Sequence, residues 1–289
     1  MSRHKEELKD LPINQVTLLG SHDAASWNIH KGYPPATGYL THHNKHITRH
    51  ASAKDVRSAR CQSTSIANQL KSGVRYLDLR VAYQDGAYYG MHMWLSLPFF
   101  GSGSVMAQIE DFMATHPDEV LVLFFQQLYS STGPMNDAEA AALFTQVAQE
   151  VPGIFIPKND FSRLTFGEIW KGQGRVILMS EKATNLPFVW DAKELDSTWF
   201  NQEDPEILIS ELDKVVASWE AGRSASKLRH LQAMTTTKDK LSTAQVTNAL
   251  VRARLEADWQ QAPISVVQVD DSATSEIVSI LIKRLKKKQ

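Results

Sequence analysis

The chain has 289 residues, 43% of them hydrophobic and 22% charged, a balance close to the globular average that excludes collagen-like and intrinsically disordered classes. Its 31 Lys and Arg stand against 32 Asp and Glu, so no net field of either sign exists to recruit nucleic acid. A single cysteine, Cys61, rules out an intrachain disulfide and a Cys-rich zinc site, and no apolar run reaches the roughly 18 residues of a membrane span.

The opening MSRHKEELKD lacks the apolar core of a Sec signal, so the expected location is cytoplasmic, or secreted without a visible signal. The first predicted strand, 16–19, runs into Gly-Ser-His-Asp at 20–23, where neither GxGxxG nor GxxxxGK[ST] is present. His22 and Asp23 therefore stand just beyond a strand end. The stretch 28–61 carries His30, His42, His43, His46 and His50 with Pro34 and Pro35 and few apolar residues; it reads as a long loop over one rim. Within it, His42, His46 and His50 recur at i, i+4 and i+8. On a helix they would line one face, either as transition-metal ligands or as a solvated, pH-sensitive patch.

A predicted helix over 64–72 leads into a strand over 74–81, GVRYLDLRV with its preceding glycine. Period-2 geometry puts Leu77, Leu79 and Val81 on one face and Val74, Tyr76, Asp78 and Arg80 on the other. The apolar face suits packing against helices, so Asp78 and Arg80 point inward, where they need partners. They form either a satisfied ion pair or a clamp for an oxyanion. The next strand, 87–92, ends at His92. The apolar LSLPFFGSG that follows it, with Phe99 and Phe100, is expected to dip into a bilayer.

A helix over 105–116 precedes a strand over 120–125 that is apolar on both faces, as a buried parallel strand should be, and Gln126 follows it. Then come a helix over 137–150 and a strand over 175–180. Trp190, Trp199 and Phe200 are candidates for a pocket wall or for core. Beyond them lie a helix over 205–220, a strand over 230–234, a helix over 243–259, a strand over 265–270 ending at Asp270, and a helix over 275–286. The basic run KRLKKK at 283–288 is a solvated end or a contact for an anionic membrane surface.

Strands alternating with helices imply parallel pairing through right-handed crossovers, in a doubly wound sheet or a barrel. Without a phosphate loop, and with His22, Asp78, Arg80, His92, Gln126 and Asp270 all at strand ends, the expected fold is α/β, a single TIM-type barrel domain over 1–289. Two histidines with carboxylates around one arginine supply a general base, a general acid and an anion clamp. That is the minimum set for cleaving a phosphodiester through an internal hydroxyl without a metal.

LLGSHDAASW (18–27), QLKSGVRYLDLRV (69–81), YYGMHMW (88–94) and IEDFMATHPDEVLVLFFQQLY (109–129) together resemble the X region of phosphatidylinositol-specific phospholipase C. The resemblance continues through VWDAKELDSTWFNQEDPEILISEL (189–212), LQAMTTTKD (231–239) and ISVVQVDD (264–271), in the manner of the X-domain-only proteins. It covers nearly the whole chain and implies a distorted TIM barrel. By position it assigns His22 as the base on the inositol 2-hydroxyl, Asp270 as the carboxylate orienting it, and His92 as the acid for the leaving diacylglycerol oxygen. Asp23 is implied as the partner of His92, Arg80 as the phosphate ligand and Asp78 as its support. The implied product is inositol 1,2-cyclic phosphate with diacylglycerol.

The calcium-dependent branch of that family carries Asn after the first histidine, Glu-x-Asp in place of DLR, and a further Glu near Gln126. Asp23, Arg80 and Gln126 depart from all three, so the resemblance implies the bacterial, metal-independent mode with no cofactor, a guanidinium taking the place of the cation. Bacterial members also place a Lys near Gln126 against the inositol ring, which leaves the head group open. Substrate contacts are expected from Gln126, Trp190 and Trp199, on a phospholipid reached by peripheral membrane contact, in a monomer. The competing readings are a catalytically silent lipid- or phosphate-binding protein and a metal-dependent glycerophosphodiesterase-like enzyme.

Overall fold

The computed structural model describes residues 1–287. Ten strands form one sheet: β1 (Leu18–Ser21), β2 (Val74–Gln84), β3 (Ala87–His92), β4 (Trp94–Pro98), β5 (Leu121–Tyr129), β6 (Val176–Ser180), β7 (Val189–Asp191), β8 (Leu195–Thr198), β9 (Leu228–Gln232) and β10 (Val266–Val269). Eight of them run parallel in the order β7-β6-β5-β2-β1-β10-β9-β8. The sheet curls into a TIM-like barrel that stays open, since β7 and β8 are not paired with each other among the described residues.

Local signals explain the elements. The helix Pro205–Glu220 starts where Asp204 accepts from the amides of Glu206 and Ile207 with Pro205 in its first turn, the arrangement that satisfies otherwise orphaned helix amides. Asn136 and Glu139 form a capping box at the start of Asp137–Glu150. Leu77, Leu79, Val81, Leu123 and Phe125 pack outward against the helices, whereas Tyr76, Val122, Phe124, Ile177, Met179 and Val266 fill the interior. Leu8, Ile13, Phe161, Leu164 and Phe166 join that interior core.

Several expectations need correction. The segment 87–92 is not a barrel strand: β3 pairs antiparallel with β2 and then with β4. The reversal is made at Asp85 and Gly86, both at positive φ (52° and 81°), the backbone a tight hairpin requires. The barrel strands β7 and β8 were absent from the sequence reading because three and four residues carry almost no periodicity. The 28–61 stretch holds two helices, Thr37–His42 and Ala53–Ala59. It is tied to the hairpin by Ala36 N–H to Met93 O (2.8 Å) and Leu95 N–H to Pro34 O (2.9 Å). The first helix ends at His42, so His42, His46 and His50 share no helical face, and they enter no metal-capable cluster among the described residues.

Phe99 is fully buried against Phe125 and Phe100, so it cannot be the residue that dips into a bilayer; it is part of the core. The basic run at 283–288 also reads differently. Arg284 is buried and donates to the carbonyls of Trp259 and Ala262, tying the last helix, Ile277–Lys287, to the segment that follows the helix Lys240–Glu256. That helix follows the last barrel strand and returns toward the amino ends of the strands, away from the rim that bears His22 and Asp270. Lys288 lies outside the described residues.

Candidate active site

Inward-facing positions of the parallel strands stack in layers from the hydrophobic interior to the carboxyl rim. Above Tyr76 and Phe124 comes a polar layer built on Asp78, which lies opposite Phe124 in register. Asp78 is fully buried and accepts from Gln126 Nε2 (2.7 Å), Gln268 Nε2 (3.2 Å) and the Asp23 amide (3.0 Å). Burial works to raise its pKa, but Arg80, His22, Gln126 and the Asp23 amide hold the carboxyl below its usual range. Gly20 stands next to Gln268 because a Cβ there would meet Gln268 and Val266 at 3.1 Å.

One layer higher, Arg80 reaches Asp78 Oδ2 at 3.4 Å and Asp23 Oδ2 at 3.7 Å. Its Nη2 donates to His22 Nε2 at 2.8 Å, and His22 Nδ1 lies 2.6 Å from Asp270 Oδ1. A guanidinium can only donate, so Nε2 of His22 carries a lone pair and Nδ1–H donates to Asp270. This is the tautomer a general base needs. Burial pushes the Asp270 carboxyl up to about 7 against the opposing charges of Lys240 and Arg80. Burial and then Arg80 depress the basicity of His22.

His92 arrives from β3, with its ring centroid 6.4 Å from that of His22. Its Nδ1 sits 2.7 Å from Ala59 O and 3.3 Å from Asp23 Oδ2. The carbonyl makes the hydrogen bond, while both Asp23 oxygens lack one and act on His92 through charge. Asp23 is raised by burial, opposed by Arg80; His92 is lowered by burial and then by Arg80. Asp23, Met93, Gln127 and Asp271 each follow a residue of this cluster and each has positive φ, from 43° to 63°. Such backbone strain costs on the order of 1–3 kcal/mol per position and collects at functional sites. At Gln127 the cause is a bulge that breaks the β2–β5 register after Arg80, which turns Gln127 Oε1 to within 3.4 Å of Arg80 Nη1.

The structure thus brings together His22, Asp23, Asp78, Arg80, His92, Gln126 and Asp270. It does not bring Trp190 to them: that ring is buried, stacked 4.3 Å from Phe161, and donates Nε1–H to Ile156 O, so it belongs to the interior core and not to a pocket wall. Trp199 is 58% exposed just past the end of β8. Sequence reasoning missed Cys61, Gln127, Lys240 and Gln268. Gln268 shares the inward parity of Asp270 and was findable by that pattern. Cys61 Sγ, 3.6 Å from His92 Nδ1, carried no local signal. Groups able to hold a metal are His22, Cys61 and Asp270, and Asp23, Cys61 and His92, whose ligand atoms lie within 4.8 Å of one another.

The chain resembles known proteins in sequence and, separately, in fold. No family model matches the chain. It is 23% identical over 224 residues to human PI-PLC X domain-containing protein 2, covering 73% of this chain and 69% of that protein. It is 25% identical over 235 residues to the variant-surface-glycoprotein phospholipase C of Trypanosoma brucei brucei, covering 75% and 62%. The chain therefore spans about two thirds of the length of these curated relatives. Its fold superposes on a variant of phosphatidylinositol-specific phospholipase C from Staphylococcus aureus with a TM-score of 0.72 at 14% identity, over 96% of this chain and 94% of the other. For the Listeria monocytogenes enzyme the TM-score is 0.64 at 17% identity, over 96% and 95%.

Proposed function

We propose, from the premise that this chain belongs to the phosphatidylinositol-specific phospholipase C X-domain family, that it cleaves phosphatidylinositol to diacylglycerol and inositol 1,2-cyclic phosphate by general base and general acid catalysis, as one barrel domain over 1–289. The observation that carries this reading is the pair of imidazoles, 6.4 Å apart, with the Arg80 guanidinium bonded to one of them and a carboxylate beside each.

In this reading the phosphate displaces Nη2 of Arg80 from His22 and takes the guanidinium as its charge partner. The freed Nε2 accepts the proton of the 2-hydroxyl as that oxygen attacks phosphorus, and Asp270 stabilises the imidazolium formed. His92, held by Ala59 O and the charge of Asp23, gives a proton to the departing glycerol oxygen. Asp78 anchors Arg80 and Gln126. A protein that only binds phosphate needs the clamp but gains nothing from two proton-transfer groups.

Phosphorus NMR of phosphatidylinositol vesicles incubated with the protein in excess EDTA is expected to show the cyclic phosphate resonance. Appearance only of a monoester, or complete loss of product with EDTA, would contradict the mechanism.

The pH profile carries a second expectation. His22 must be neutral and His92 protonated, and burial together with Arg80 lowers both below the ordinary 6.5. Activity then rises with pH through the first titration and falls through the second, so kcat/KM should peak on the acid side of pH 6.5. A plateau extending above pH 8 would show that His92 is not the acid.

A further inference from the structure

Lys240 has no role in the chemistry above, yet its position is unusual. It is the first residue of the 17-residue helix Lys240–Glu256, it is only 8% exposed, and among the described residues it makes no hydrogen bond and no ion pair. The same helix is fastened to the site: Asn248 Nδ2 donates to the Asp270 carbonyl at 2.9 Å. It also packs on the helix Ala53–Ala59, whose last residue offers its carbonyl to His92. The ammonium is close enough that its charge acts on His22, Asp23, Cys61, His92 and Asp270, and on Asp270 more strongly than Arg80 does. Lys240 opens the helix that follows β9, the parallel neighbour of β10, and so stands at the carboxyl rim where Asp270 follows β10.

The stem of the side chain is enclosed while its ammonium is left without a hydrogen bond or ion pair among the described residues, so three N–H donors are available to an anionic ligand. The charge count says what that partner is. Asp23, Asp78 and Asp270 surround one guanidinium, which Asp78 and Asp23 already flank. A site that must accept an anion needs a further positive charge, and the Lys240 ammonium is placed to supply it.

We propose that Lys240 is a second phosphate ligand of this site, contacting a non-bridging oxygen of the phosphodiester from the Cys61 and Asp270 side while Arg80 holds the other. The proposal deepens the catalytic reading and rests on it for the identity of the ester, but phosphate recognition by Lys240 can be measured without turnover.

The test is calorimetric titration of the full chain with inorganic phosphate at pH 6, for wild type, Lys240→Met and Lys240→Arg. One charge-assisted contact sets the expected loss at about tenfold in affinity for Lys240→Met, with Lys240→Arg within a few-fold of wild type and all three unfolding at similar temperatures. Lys240→Met that is folded and binds phosphate as wild type does would overturn the proposal, as would wild-type protein that binds none. In a parallel arm, kcat/KM on phosphatidylinositol vesicles is expected to fall at least as much as phosphate affinity in Lys240→Met and to recover in Lys240→Arg. If wild type binds phosphate through Lys240 but never turns over the lipid, the anion subsite stands and the catalytic reading fails.

Discussion

Replacing His22 by alanine is expected to lower turnover of phosphatidylinositol by about 10⁴-fold, the upper range for losing a general base, with the fold retained. The side chain is held by Asp270 and Arg80, and its removal opens space at the rim without cutting a strand. His92→Ala is expected to cost a comparable factor on the natural lipid, but much less on an inositol phosphodiester with a nitrophenol leaving group, which departs without a proton. His22→Ala should lose about equally on both substrates, because the attacking hydroxyl is the same. Asp270→Asn should retain the geometry and lose about 100-fold, the cost typical of an orienting partner. Parallel losses of His22→Ala and His92→Ala on the nitrophenyl substrate would contradict the assignment of base and acid.

Arg80→Met is the second large effect, and it reaches stability as well as rate. Asp78 and Asp23 are fully buried and lie 3.4 and 3.7 Å from this guanidinium. Removing one partner of such a cluster leaves buried charge uncompensated, at a cost of about 3–5 kcal/mol, which for a chain of this size lowers the unfolding temperature by on the order of 10 °C. The sign of the pH dependence follows from Asp78, which Arg80 and its hydrogen-bond donors hold below 3.8 despite burial. Its contribution to wild-type stability is present above that value and is lost as the pH falls through the native titration. The gap in unfolding temperature between wild type and Arg80→Met should therefore narrow as the carboxylates protonate. A gap independent of pH from 7 to 3, or wild-type turnover in the variant, would remove Arg80 from its place in the site. Arg80→Lys keeps the charge but loses the planar fork, and is expected to recover stability better than turnover.

Much of this site was legible in the one-dimensional pattern. In β2 the alternation of Leu77, Leu79 and Val81 with Tyr76, Asp78 and Arg80 left one orientation that buried the apolar set against helices, so two charged residues had to face inward. His22, Gln126 and Asp270 were placed by standing at or just past the ends of their own strands. The hairpin β2–β3 was misread although Asp85-Gly86 marks its turn, because the run 87–92 has the same period as a barrel strand and periodicity does not distinguish parallel from antiparallel pairing. Trp190 was misplaced for a related reason: its parity points it inward, but depth along the barrel axis decides between core and pocket.

By itself the sequence determined the α/β class, the inward direction of Asp78 and Arg80, the strand-end positions of Gln126 and Asp270, and the chemistry those residue types can perform, because side-chain direction in a strand is a local property of the backbone. Only the tertiary structure decided which groups meet across the barrel: Ala59 O and Cys61 against His92, Gln268 against Asp78, and Asp270 against His22. Those contacts join positions 31 to 248 residues apart in the chain. Strand register and the angle at which a helix lands on the sheet set them, and the packing of the whole core fixes those quantities where no short stretch of residues can.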